Sequence, residues 1–203
     1  MLSVVVGNGE SRRHIDLNQL KSKNTIIGCN ALHRDISVDH LICCDRRMVD
    51  EAILSDNTAE TKIYVREDWF RYFRKIKKDK RINLLPKLPY DEQNTKADKP
   101  DHWGSGPYAV LLAANLQFKK ITLVGFDLYP KNDRINNIYK GTKNYKDRDS
   151  NAVDYNYWVY QIGKIFQHFP QTEFIILNND DWKMPKEWKY SNVKFTSLEN
   201  KII

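Results

Sequence analysis

Cysteine is scarce in this 203-residue chain, at three, and glycine and proline are hardly more common, at eight and seven. The three thiols, Cys29, Cys43 and Cys44, include no C-x-x-C pair and have no histidine at metal-ligand spacing. That excludes a disulfide framework and a zinc finger, and it predicts buried free thiols in apolar segments. The low glycine and proline content, with no repeated or low-complexity block, excludes a collagenous or linker-divided chain. Long hydrophobic runs are missing too: no stretch approaches the roughly 20 apolar residues of a membrane helix. The first residues read as a strand, not as a basic, apolar, cleavable leader. The expectation is a single cytoplasmic domain over residues 1–203, long enough for one well-buried core.

An acidic excess is absent as well. The formal net charge is +7, and seven basic residues between Arg71 and Arg81 face a single acid, Asp79. Trp69, Phe70, Tyr72, Phe73 and Ile76 interleave with those charges as in an amphipathic helix, apolar side inward and cations in solvent. The segment 71–81 is therefore either a solvated face or a patch for an anionic partner such as lipid headgroups or nucleic acid. Tyrosine and tryptophan are plentiful, which suits an oligomer interface as well as a core.

What is present is α/β alternation. Short apolar runs at 4–7, 25–29, 40–44, 61–65, 82–85, 121–125 and 173–177 lack period-two alternation, which predicts strands covered on both faces. The implied fold is α/β, a mainly parallel sheet flanked by helices. One more strand is expected at 193–196. Ligands of such sheets bind beyond the carboxyl ends of the strands. The polar residues that follow the runs are Asn8, Asn30, Asp45, Asp127 and Tyr129, each of which also serves as an ordinary turn or cap residue elsewhere.

Two glycine turns stand out. Gly7-Asn8-Gly9 ends the first run, with Ser11 placed to cap a following helix and so to form an anion site, although the third glycine of a dinucleotide fingerprint is missing. Gly104-Ser105-Gly106-Pro107 leads into an alanine-rich helix over 109–116, with Ser105 as the expected cap and Pro107 in the first turn. Residues 130–151 are polar and read as a long loop, a lid or binding loop leaving a ligand-facing strand end. A helix follows over about 154–168.

Taken together, Val6-Gly7-Asn8-Gly9-x-Ser11, Ile15-Asp16, Cys29-Asn30, Gly104-Ser105-Gly106 and the run ending Gly125-Phe126-Asp127-Leu128-Tyr129 resemble bacterial sialyltransferases of the family that modifies lipooligosaccharide. The resemblance covers about residues 3–130 and, more loosely, the helix from 154. It implies a Rossmann-like fold that transfers sialic acid from a CMP-sugar donor to a glycan acceptor, with inversion and with no metal or other cofactor. By position, Asn8 and Ser105 would contact the donor phosphate, with Gly7, Gly9, Gly104 and Gly106 bringing backbone close. Asn30 would contact the nucleotide, Asp127 would support its pocket, and Tyr129 would hydrogen-bond the departing phosphate.

The chain departs from that pattern in three ways. Asp45 stands where the family has a nucleotide-binding asparagine, and a carboxylate cannot donate to a phosphate, although Arg46 and Arg47 beside it offer compensating charge. The stretch 147–151 holds no histidine, which leaves Asp149 or Asp147 as the base. The length leaves no obvious room for the family's C-terminal membrane-associating part. A wider related group, with flagellin-modifying glycosyltransferases and a Mg-dependent pterin pyrophosphokinase, carries an aspartate after the third strand; there Asp45 and Asp127 would hold a cation. A nucleotide- or glycan-binding module without a base is the third reading.

Overall fold

Successive apolar residues such as Val4-Val5-Val6 and Leu41-Ile42-Cys43 put side chains on both sides of a strand, and both sides are used. The computed structural model describes residues 2–90 and 95–199. Eight strands, β1 (Leu2–Val6), β2 (Thr25–Cys29), β3 (His40–Cys43), β4 (Lys62–Val65), β5 (Ile82–Leu84), β6 (Lys120–Val124), β7 (Glu173–Asn178) and β8 (Val193–Ser197), form one sheet. Every pairing is parallel. Helices α1 (Leu17–Lys23), α2 (Arg46–Ile53) and α3 (Glu67–Phe70) lie on one face, and α4 (Ser105–Asn115) and α5 (Asn156–His168) on the other.

Val4, Val6, Ile26 and Leu41 pack with Leu20, Met48, Val49 and Phe73 on the first face. Val5, Ile27 and Ile42 pack with α4, Ile162 and Phe166 on the second. Helix α4 is apolar nearly all round and buried over most of Ser105 to Ala114, as a helix sandwiched between a sheet and a second helix must be. Among the described residues, no helix is long and apolar enough to cross a membrane.

The strand order β5-β4-β3-β2-β1-β6-β7-β8 positions the site. The chain winds outward from β1 to β5, then returns through α4 to β6 on the other side of β1. Neighbouring connections therefore diverge at the carboxyl ends of β1 and β6 and leave a crevice there.

Two local expectations need correction, and a third is met with an addition. The aromatic and basic stretch is not one amphipathic helix: after the single turn of α3 the chain widens into a π-helix over Arg71–Ile76, with Lys77 N–H donating to Tyr72 O at 3.1 Å. The changed rotation buries Phe73 but leaves Ile76 68 % exposed, although its place in the sequence pattern predicts an inward position. Ser11 caps no helix; a 3-10 turn over Glu10–Arg12 follows Gly9, and α1 is capped by Asp16, which accepts from Asn18 and Gln19 amides. Residues 130–151 do lack helix and strand beyond isolated bridges, yet they are pinned down by a buried Tyr139 and a largely covered Tyr145.

Candidate functional site

A cavity of about 280 Å³ opens at the crevice between β1 and β6. It gathers Gly7, Asn8 and Gly9 after β1, Asn30 after β2, Asp45 after β3, Arg66 after β4, Asp127 after β6, and Gly104, Ser105 and Gly106 at the start of α4. Tyr129 and Asp149 are not in its lining. A second chamber of about 320 Å³ adjoins it, sharing Asn30, Asp45, Leu128, Asn136, Asn137 and Trp158 and adding Tyr129, Tyr145 and Val153. Two residues on the shared wall, Asn30 and Leu128, hold left-handed φ angles of 51° and 62°. Asparagine takes that conformation readily and leucine does not, and such strain concentrates where ligands are held.

The first glycine turn is largely closed upon itself. Four of its amides are used inside the protein: Gly7 N–H donates to Val124 O, Gly9 N–H to Gly125 O, Glu10 N–H to the Asn136 side chain and Ser11 N–H to Asp127, while the Asn8 N–H has no partner among the described residues. The Ser11 hydroxyl also donates to Asp127, and the Asn178 amide reaches the same carboxylate at 3.5 Å. Asp127 is thus a clamp that joins the β1 turn to the ends of β6 and β7. A β-carbon on Gly9 would collide with that carboxylate, and one on Gly7 would lie 2.5 Å from Gly125 O, so the glycines serve close backbone packing. Asn8, 9 % exposed, donates to Cys29 O at 3.3 Å and to the Tyr145 hydroxyl at 3.1 Å, leaving its own side-chain oxygen without a partner among the described residues.

The second glycine turn is open. Gly104, not Ser105, is the cap of α4, and Ser105 is the first helical residue. The Ser105 hydroxyl donates to the Asn30 side chain at 2.9 Å and accepts from Cys44 N–H at 3.1 Å, tying β2, β3 and α4 together. Its own amide and that of Gly106 have no partner among the described residues, and both face the cavity end of an eleven-residue helix. Such a terminus carries a partial positive charge. Arg66 adds a full one: its guanidinium donates to Trp103 O at 3.1 Å, and its Nε has no hydrogen-bond partner among the described residues.

Tyr129 borders the second chamber, but its hydroxyl donates to Lys183 O at 2.9 Å, and its ring packs edge-on against Tyr155. Burial, with Tyr155 and Glu187 nearby, raises its pKa, so the phenol stays protonated and able to donate. Asp149 is exposed and lines neither chamber; Arg134 holds its backbone carbonyl, which turns that part of the loop outward.

The loop is held over the site from its other end. Arg12 and Asp35 both bind the Tyr139 hydroxyl, and Arg34, paired with Glu51 at 2.5 Å, donates to Thr142 and to Lys143 O. Glu51 also accepts from Asn144 at 2.7 Å. Residues 137–146 form a strap whose Tyr145 touches Asn8 inside the crevice.

The lining chemistry is restricted. Burial pushes the Cys29 thiol up to about 12 and raises Cys44 as well, so both are neutral wall groups at neutral pH, not nucleophiles. Asp45 is the one carboxylate bordering both chambers among the described residues. Among the same residues, no cluster of three or more His, Cys, Asp or Glu is placed to hold a metal ion. Arg66, Asn136, Asn137, Tyr145 and Trp158 join the site without having been expected from sequence. Arg66 directly follows the fourth apolar run, so the strand-end rule pointed to it; the others sit in the loop or a helix with no local signal.

No family model matches the chain, and no curated protein matches it either. Among solved structures it is similar to the alpha-2,3/8-sialyltransferase CstII, in a point-mutant form. The superposition has a TM-score of 0.53 at 15 % sequence identity and covers 87 % of this chain and 81 % of that one. The shared feature is the fold: a Rossmann-like parallel α/β sheet with helices on both faces.

Proposed function

We propose that the chain binds a CMP-sugar of the CMP-sialic acid type and transfers the sugar to a glycan acceptor. The observation that carries this reading is the open start of α4: two free amides with Arg66 beside them, at the switch point of a sheet shared with a sialyltransferase. A donor phosphate suits that corner, because the amides and the guanidinium answer charge that grows as the sugar–phosphate bond breaks. The nucleoside then lies toward Asn30 and Asn8, and the acceptor enters the adjoining chamber past Trp158. Asp45, bordering both chambers, is the carboxylate placed to take the acceptor's proton; Asp149 would serve only after the loop turned inward. Tyr129 serves the leaving group only by giving up Lys183 O.

Two other readings each have one observation in favour. Asp45 and Asp127 line the same cavity, as a Mg-dependent pyrophosphokinase-like enzyme would require, although Asp127 is already engaged by Ser11. No histidine among the described residues lines either chamber, which favours a binding module. A thermal-shift panel of CMP, CDP, UMP, ATP and GTP, with and without Mg²⁺, separates them. CMP is expected to stabilise most and without metal, by about 2.7 kcal/mol at a hundred times its dissociation constant. Mg²⁺-dependent preference for ATP would overturn the reading, and CMP binding without turnover of CMP-sialic acid leaves the module. If turnover occurs, Asp45→Asn is expected to abolish it while CMP binding persists.

A further inference from the structure

In a parallel sheet all strand starts and crossover-helix ends share one pole, and here that pole, opposite the cavity, carries an exposed corner of aliphatic and cationic side chains. Leu54, at the end of α2, is 83 % exposed, and Ile76, at the end of the π-helix, is 68 % exposed. Arg81 ties the end of α2 to the turn that follows the π-helix, where Asp79 N–H donates to Phe73 O at 3.1 Å. Its guanidinium donates to Ile53 O at 2.9 Å and to Thr58 O at 3.2 Å, and Asp79 clamps it at 2.6 Å. The acid of the basic segment is thereby spent, whereas Lys75, Lys78 and Lys80 are exposed without an ion-pair partner among the described residues. Lys62, at the start of β4, is exposed at the same pole; Asp56 and Glu60 are the acids on the neighbouring turn.

We propose that this corner docks the protein on the surface of an anionic lipid bilayer, with Ile76 and Leu54 entering the headgroup region and the lysines on lipid phosphates. The pairing of aliphatic tips with lysines fits that partner. Cations gain from the surface potential and aliphatic groups from leaving water, and the two add. Nucleic acid fits less well: the corner offers point-charge lysines and no free aromatic face, since the Tyr72 ring is covered by Arg46 and Lys77. Docking by this pole leaves the cavity facing away from the bilayer and open.

The test is co-sedimentation of the full chain with vesicles of phosphatidylcholine alone and of phosphatidylcholine mixed with phosphatidylglycerol. Binding is expected to the mixed vesicles only and to be released by added salt. The pairs Ile76→Ser with Leu54→Ser, and Lys78→Glu with Lys80→Glu, are each expected to weaken it about tenfold or more. Melting temperature and the CMP thermal shift should not move, because the corner is remote from the cavity. Equal binding to both vesicle types, or unchanged binding by the serine pair, overturns the proposal. Displacement by a single-stranded oligonucleotide, with the serine pair behaving as wild type, assigns the corner to nucleic acid and overturns it as well.

Discussion

Asp127 and Asp45 look alike in sequence, each an aspartate just after an apolar run, and they are opposites in the fold. Asp127 is 7 % exposed and accepts both the amide and the hydroxyl of Ser11, whereas Asp45 is exposed with no side-chain cap bond at the start of α2. Asp127→Ala should leave those donors without a partner and cost about 1–3 kcal/mol in urea unfolding. Asp45→Ala should change stability by no more than about 0.5 kcal/mol. A silent Asp127→Ala would show that the clamp is dispensable. Ser105 belongs with Asp127: its hydroxyl links Asn30 to Cys44, so Ser105→Ala is expected to lower the melting temperature as well as alter ligand response, by leaving Cys44 N–H buried and unpaired.

At the scale of elements, the strap over residues 137–146 has no regular structure, yet polar bonds to α2, to the turns after β1 and β2 and to Asn8 tether it. Its attachment to the rest of the fold depends on side chains, since its backbone bonds are local turns apart from Ile138 N–H to Asn8 O at 2.9 Å. Tyr145→Phe removes the hydroxyl that accepts from Asn8 at 3.1 Å and from Ala31 N–H at 3.4 Å. The expected result is faster amide exchange confined to the strap, with the exchange of β1 to β4 unchanged. Exchange identical to wild type would mean that Arg34, Glu51 and Asn144 hold the strap unaided.

For the whole molecule the buried His33 and the half-buried His40 make stability depend on pH between neutrality and about pH 5. His33 is 2 % exposed, and neither ring nitrogen has a hydrogen-bond partner among the described residues, although Glu51 lies 3.6 Å from Nε2. Burial lowers its pKa below the ordinary value, and burial with Lys62 nearby does the same for His40. The unfolded chain therefore takes up protons first, at about pH 6.5. Stability is full above that value and falls as pH drops from it toward the depressed folded pKa values. Carboxylates such as Glu51 and Asp79, held low by Arg34 and Arg81, respond only at more acid pH. Melting curves from about pH 7.5 to about pH 5 should slope downward, and His33→Leu should flatten part of that slope; an unaltered slope would assign it to His40.

The parallel sheet was legible in the chain because strands buried on both faces leave unbroken runs of Val, Ile, Leu and Cys, and that signal is local. Two glycine turns and the polar residues at strand ends were legible for the same reason, as was the helix beginning near Gly104. Which turn is open to a ligand was not. Whether Ser11 faces an anion or Asp127 depends on a carboxylate 116 residues away, and the free amides of Ser105 and Gly106 stand out only beside the mostly filled ones of the first turn. Tyr145 meets Asn8 across 137 residues, and Arg81 ties its own basic segment to Ile53 O at the end of α2, 28 residues away. The sequence alone determined where strands, turns and charges occur, because these follow from neighbours along the chain; the tertiary structure decided which polar groups are left over for function, because each is satisfied or left free by partners that only the fold brings near.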